Sequence, residues 1–373
     1  MKGNVIMEQN TKISSNQFMI LVMLFTIGSA ILFIPSGQAH YAKQNAWIAT
    51  ILGVVGGLCF IRLYIGIGNL YPHMNLMQLN EKLLGKWVGK SLSLVFLLFL
   101  FLTGPASAMF FVGNFITSQI MPSTPVPSIH ILFTIVIIMG VYLGLETIGR
   151  SAEIMIPWFI FLFMIMVIFV SPQIKWDAVQ PILDKGIHPI LLPAVSLLSV
   201  CTFPLIILLM IFPSCISNSV QAPKAFYTGY LLGGGVLIII VVLCILILGP
   251  GITARSLYPS YTLVKKIDVG DFLQRIEAVM AIMWFISLYF RLTLYCYAIA
   301  IGIAQVFNLK EHRPLLLPMG MLLALYSLIV YPSTAYEQTW DTRTWIPYTI
   351  SIGVFYPLLL LGAAIFRKRS QSS

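Results

Sequence analysis

NQFMILVMLFTIGSAILFIPSG, residues 16–37, decides how the rest of the chain is read. The stretch is apolar for long enough to cross a bilayer, which takes about 20 residues. Near its middle stands Gly28-Ser29-Ala30, and Pro35 follows. A spanning helix must satisfy every backbone polar group internally, because lipid offers no partner. A small-residue run at mid-depth therefore predicts a helix that opens and frees N–H and C=O groups for a ligand. The other reading is that Gly28 only lets a second helix pack close. A second interruption falls near Cys201–Pro204, and the chain is organised around the two.

The chain has 373 residues, of which 59% are hydrophobic and 9% charged. Its mean hydropathy is +0.93. Soluble domains carry about 25% charged residues, so this composition belongs to a polytopic membrane protein. The net charge of +10 fits cytoplasmic loops and anionic lipid headgroups rather than nucleic acid. Five cysteines are scattered through apolar segments, which argues against a disulfide framework. The histidines stand singly, without the spacing of a metal site. Residues 1–15 read as a cytoplasmic tail, not a cleaved signal peptide.

Ten spans follow from hydropathy, at about 16–38, 46–67, 91–120, 129–146, 154–171, 189–216, 225–248, 272–307, 314–331 and 346–366. Residues 74–90 place Leu76, Leu79, Leu83 and Leu84 on one face, the pattern of an interfacial amphipathic helix. Residues 252–270 and 332–345 read as outer loops, and 367–373 as a basic cytoplasmic tail. With both termini inside, the cytoplasmic loops hold the greater share of Lys and Arg. The two interrupted spans, 1 and 6, are five apart, and an odd number of spans per half inverts one half relative to the other. Breaks at matching positions point to an inverted-repeat transporter fold with a midplane site. The repeats run from about 16–171 and 189–366 within a ten-helix domain at 16–366.

Freed N–H groups near Gly28, Ser29 and Ala30 suit a carboxylate, because half-helix N-termini carry a positive dipole end. Freed carbonyls in Ser199-Val-Cys-Thr-Phe-Pro204, which includes Thr202 and Phe203, suit an ammonium. Pro204 has no N–H and cannot bond back to Val200, which leaves an acceptor there. An ordinary proline kink is the competing reading. Arg291 lies halfway along span 8, where a buried cation marks a functional site by default. No carboxylate is expected at its depth, so the guanidinium either awaits a ligand carboxylate or bonds the carbonyls of a broken helix. Tyr295 is one turn on, and Thr103, Ser107 and Asn114 put polar groups in span 3. No catalytic constellation or cofactor fingerprint is present, so neither an enzyme nor a cofactor is expected.

Several pieces carry a family resemblance in order and spacing: SSNQF (14–18), GSAILFIP (28–35), LGKWVGK (84–90), TPVPS (124–128), GLETIGRSAEI (144–154), QPILDKGI (180–187) and GPGITARSLYPSYTLVKKIDVGDFLQRIEA (249–278). From about Ser14 to Leu309 the chain resembles the B subunit of spore germinant receptors, the endospore germination permeases of the amino acid–polyamine–organocation superfamily. The resemblance implies an all-α, LeuT-like 5+5 inverted repeat with broken helices 1 and 6, in the spore inner membrane. It implies a small-molecule germinant, often an amino acid, and partner A and C subunits. Ligand contacts are implied at Gly28, near Thr103, at Thr202–Pro204, and at Arg291 and Tyr295. Relatives often carry lysine where this chain has Arg291, which replaces a point charge with a planar fork. The rival readings are an ordinary secondary amino acid transporter and a structural subunit with a vestigial site.

Overall fold

The computed structural model describes residues 12–184, 186–266 and 277–372. The first segment begins as α1 (Ser15–Ile27), started by a capping box in which Ser14 and Gln17 satisfy each other's backbone N–H groups. It stops at Gly28, whose φ is +36°, a conformation that favours glycine. The chain resumes as α2 (Ala30–Ala42), which contains Pro35. Pro35 has no N–H to give the Ile31 carbonyl. The Ser260 hydroxyl donates to that carbonyl instead, at 2.6 Å.

After a short turn comes α3 (Ala46–Gly68), then α4 (Leu76–Leu84), which buries Leu76, Leu79 and Leu83. Gly85 at φ +86° separates α4 from α5 (Lys86–Thr103). Residues 86–90 therefore belong to the third segment and not to the amphipathic helix. Gly104-Pro105 breaks that segment before α6 (Pro105–Phe115), because Pro105 cannot continue the backbone ladder. The fourth and fifth segments are α7 (Val126–Leu143) and α8 (Leu145–Val170). The sixth starts as α9 (His188–Leu197), widens into a π turn at Leu198–Thr202 and tightens into 3-10 geometry over Phe203–Met210.

The seventh segment is α10 (Ala222–Leu243). The expected long loop after it folds into α11 (Gly249–Arg255) and α12 (Pro259–Val264); its residues 267–276 lie outside the described residues. Then come α13 (Glu277–Val306), α14 (Leu316–Ile329) and α15 (Thr334–Trp340). The expected outer loop at 332–345 is thus largely helical, and it leads through a π turn at Asp341–Trp345 into α16 (Ile346–Ile350) and α17 (Tyr356–Ser372).

Among the described residues, eight helical runs are long and apolar enough to cross a membrane, and Ser15–Ile27 and Arg313–Ile329 are shorter apolar helices. One run, Ala30–Gly68, joins half of the first segment to the second, so the runs regroup into ten crossing segments. Segments 1, 2, 6 and 7 pack together through α1 on α10, α3 on α9 and α10 on α3. Segments 3, 4, 5 and 8 pack together through α13 against α5, α7 and α8. Gly229 and Gly233 of α10 let α1 approach: a Cβ on Gly233 would meet Thr26 Cβ at 2.8 Å. Large apolar side chains such as Leu132 and Ile135 of α7 and Trp158 and Phe161 of α8 stay exposed. In water that surface would be a liability; against acyl chains it is the favoured one.

Candidate functional site

Arg291 is the centre of the site. It is 4% exposed, on the helix α13 that both helix groups meet. Its Nη2 donates to the Val200 carbonyl at 2.7 Å. Val200 lies four residues before Pro204, which has no N–H to offer that carbonyl. The guanidinium carbon lies 5.1 Å from the centre of the Phe25 ring and 5.9 Å from that of Tyr295, within cation–π range. Nη1 has no hydrogen-bond acceptor. A half-used guanidinium in an apolar interior is costly unless something completes it.

Gly28 makes room for this side chain. A Cβ on Gly28 would run into Arg291 Cδ, and would lie 2.8 Å from Nη1. The Gly28 carbonyl, released by the break, accepts from the Ser287 hydroxyl at 3.0 Å. Both broken helices are thus tied to α13, one through Ser287 and one through Arg291.

Beside Arg291 lies a cavity of about 30 Å³ lined by both break regions, the third segment, α13 and the start of the tenth segment. That is space for on the order of two waters, so a nutrient-sized molecule needs the arrangement to widen. Phe33 of α2 stacks on Phe111 of α6 at 5.1 Å, and both rings belong to the lining. Gly104 and Ser107 line it from the third segment, and Asp341 and Trp345 from the π turn before α16.

Of the residues singled out in the sequence, Ser29, Arg291 and Tyr295 line the cavity, and Gly28 sits beneath the guanidinium. Ala30 is fully buried and is not part of the lining. Thr103 donates to the Phe99 carbonyl at 2.8 Å and bonds the Tyr348 hydroxyl at 3.0 Å, while its neighbour Gly104 faces the space. Thr202 pairs with the Tyr230 hydroxyl at 2.8 Å. Phe203 packs edge-on against Phe60 at 5.0 Å. Pro204 is buried in the core, and Val200 rather than Thr202, Phe203 or Pro204 represents the sixth segment in the cavity.

Sequence reasoning missed Asp341. It placed no carboxylate at the depth of Arg291, yet Asp341 lines the same cavity. Glu337 is 7% exposed, and it stands one turn before Asp341 in the stretch that leads into the tenth span. Burial raises both above the usual carboxylate range, and the neighbouring Glu337 charge raises Asp341 further. The available signal was their i,i+4 spacing, which puts both on one helical face. Among the described residues, no group of three His, Cys, Asp or Glu side chains is arranged to hold a metal ion.

The family model described as spore germination protein matches residues 12–336. The chain belongs to the spore germination protein family. Spore germination protein KB of Bacillus subtilis (strain 168) is 26% identical over 366 residues, spanning 97% of this chain and 96% of that protein. Spore germination protein YndE of the same organism is 22% identical over 370 residues, spanning 97% and 98%. Among solved structures, the manganese transporter of Eremococcus coleocola superposes with a TM-score of 0.50 at 12% identity, over 95% of this chain and 78% of that one. That likeness carries the fold alone, the LeuT-like arrangement of ten helices with segments 1 and 6 broken. The chain is a multi-pass membrane protein of the germination permease type.

Proposed function

We propose that this chain is the nutrient-sensing subunit of a spore germinant receptor, and that a small amino-acid-like ligand occupies the cavity between broken segments 1 and 6 and segments 3 and 8. The observation that carries this reading is Arg291, buried at the junction of the two breaks with Nη1 unused. A planar fork with one arm fixed on Val200 holds its other arm ready for a carboxylate. Ser29 and Tyr295 offer hydroxyls to the same space. In this reading the chain lies in the spore inner membrane with both termini cytoplasmic, and works with A and C subunits. Segments 1, 2, 6 and 7 part from segments 3, 4, 5 and 8 to admit the ligand, and binding closes them around the widened cavity. The shift between the two arrangements is what the partner subunits report.

Spores lacking this chain test the proposal when exposed singly to amino acids, sugars and nucleosides. The expected result is loss of germination toward one nutrient class with the others intact. Unchanged germination toward every nutrient, together with uptake of an amino acid into vesicles carrying the chain, makes it a secondary transporter instead.

A further inference from the structure

The cavity carries one basic and one acidic side chain, Arg291 and Asp341, beside its hydroxyl and aromatic lining. Arg291 and Asp341 both line it, yet the ion pairs found among the described residues are Lys90–Glu81 and Arg150–Glu146. The two opposite charges share a cavity without closing on each other. Asp341 is backed by Glu337, one turn earlier on the same face and itself buried. Two carboxyl groups one turn apart resist ionising together, so the pair keeps a proton unless a cation takes its place. Ser29 and Ser107 also line the cavity, while Phe33 and Phe111 give it an apolar wall. Arg291 supplies the independent sign of a ligand: it is 4% exposed, and its Nη1 lacks an acceptor.

We propose that Glu337 and Asp341 form an ammonium subsite, so that the ligand is held as a zwitterion between this carboxyl pair and the Arg291 guanidinium. The inference rests on the cavity being the nutrient site. An ammonium group offers three donors and no acceptor, which suits two carboxylates and displaces the proton they share. A carboxylate accepts in the plane of a guanidinium fork. A ligand with both groups on one carbon satisfies both ends at once. A carboxylic acid without the amine leaves Asp341 unserved, and an amine without the acid leaves Arg291 unserved. Leaving the buried guanidinium half-paired is the costly outcome, and the carboxyl pair then keeps its proton.

The test uses the purified full-length chain in lipid nanodiscs, in sodium-free buffer, with a panel of L-amino acids and their matched 2-hydroxy acids as competitors. The wild type is expected to prefer an amino acid over its hydroxy acid by about tenfold or more. Asp341→Asn is expected to remove most of that preference by weakening the amino acid while the hydroxy acid holds. Glu337→Gln is expected to reduce the preference less. Retained hydroxy acid binding in the variants shows that the cavity is still folded. A preference unchanged in both variants overturns the subsite, as does equal weakening of both ligands. Binding that appears only on adding sodium, and loses its sodium dependence in Asp341→Asn, assigns the pair to an inorganic cation and overturns it too. If the wild type binds no panel member, the nutrient reading of the cavity falls together with the subsite. If binding is lost in Arg291→Ala but keeps its preference in the carboxyl variants, only the subsite falls.

Discussion

Arg291 has two duties that a single positive charge cannot perform. One nitrogen holds the Val200 carbonyl at 2.7 Å and the other remains available. Arg291→Lys keeps the charge but not the fork, so the lysine serves either Val200 or a ligand. We expect nutrient affinity to fall about tenfold in Arg291→Lys, the value of one charged hydrogen bond, as read by titrating germination rate against nutrient. Gly28 sets the limit on the other side. Gly28→Ala drives a Cβ into Arg291 Cδ at a φ of +36°, and strain of this kind costs about 1–3 kcal/mol. Thermal unfolding of the purified variant should show a lower midpoint; an unchanged midpoint contradicts the packing described here. The raised carboxyl pair gives a pH dependence. Glu337 and Asp341 face Tyr258, Tyr331 and Ser107 around the cavity end that Arg291 also borders. Because their neutral forms persist above the usual carboxylate range, an ammonium ligand binds better as pH rises and the pair gives up its proton. Amino acid affinity should therefore increase from pH 5 to pH 8, and the slope should flatten in Asp341→Asn. Arg291 was legible in the sequence because a charge inside an apolar run has no ordinary explanation. Asp341 was not, because a polar residue near a span end reads as loop until the tertiary packing buries it.

At the scale of elements, the carbonyls freed along the broken segments are taken by side chains from the second half of the chain. Pro35 frees the Ile31 carbonyl and Ser260 takes it at 2.6 Å. Pro204 has no N–H to offer the Val200 carbonyl, and Arg291 takes it. Ser260→Ala leaves a buried carbonyl unserved, at a cost of about 1–3 kcal/mol. Pro35→Ala restores an N–H for the same carbonyl, so the double variant should recover much of the lost stability. A double-mutant cycle of unfolding midpoints reads this directly, and simple additivity of the two changes excludes the shared carbonyl. The breaks themselves were visible as Gly28-Ser29-Ala30 and Pro204. Their partners were not, since nothing in the local pattern of Ser260 says which carbonyl it will meet. The third segment shows the same limit. Gly104-Pro105 was passed over because the apolar run continues on both sides, yet it divides α5 from α6 and puts Gly104 and Ser107 on the cavity.

At the scale of the whole molecule, segments 1, 2, 6 and 7 and segments 3, 4, 5 and 8 form two packed groups, and α13 of the second also packs on α1 of the first. The small cavity at their junction makes the arrangement a closed one that a ligand holds shut or must first enter. Hydropathy was enough to give the segments and their count, because lipid forces backbone satisfaction into long apolar helices. The five-span offset between the breaks was enough to suggest the inverted arrangement. What hydropathy could not give is the helical course of 332–345, a stretch too polar to read as a span, which buries Glu337 and puts Asp341 and Trp345 on the cavity. If the nutrient is read in the cavity at Arg291, spores carrying Arg291→Ala at wild-type protein level lose or retune the response to one nutrient class, with all other responses intact, when germination is followed across single nutrients. A stable variant that germinates with unchanged nutrient dependence places nutrient recognition elsewhere.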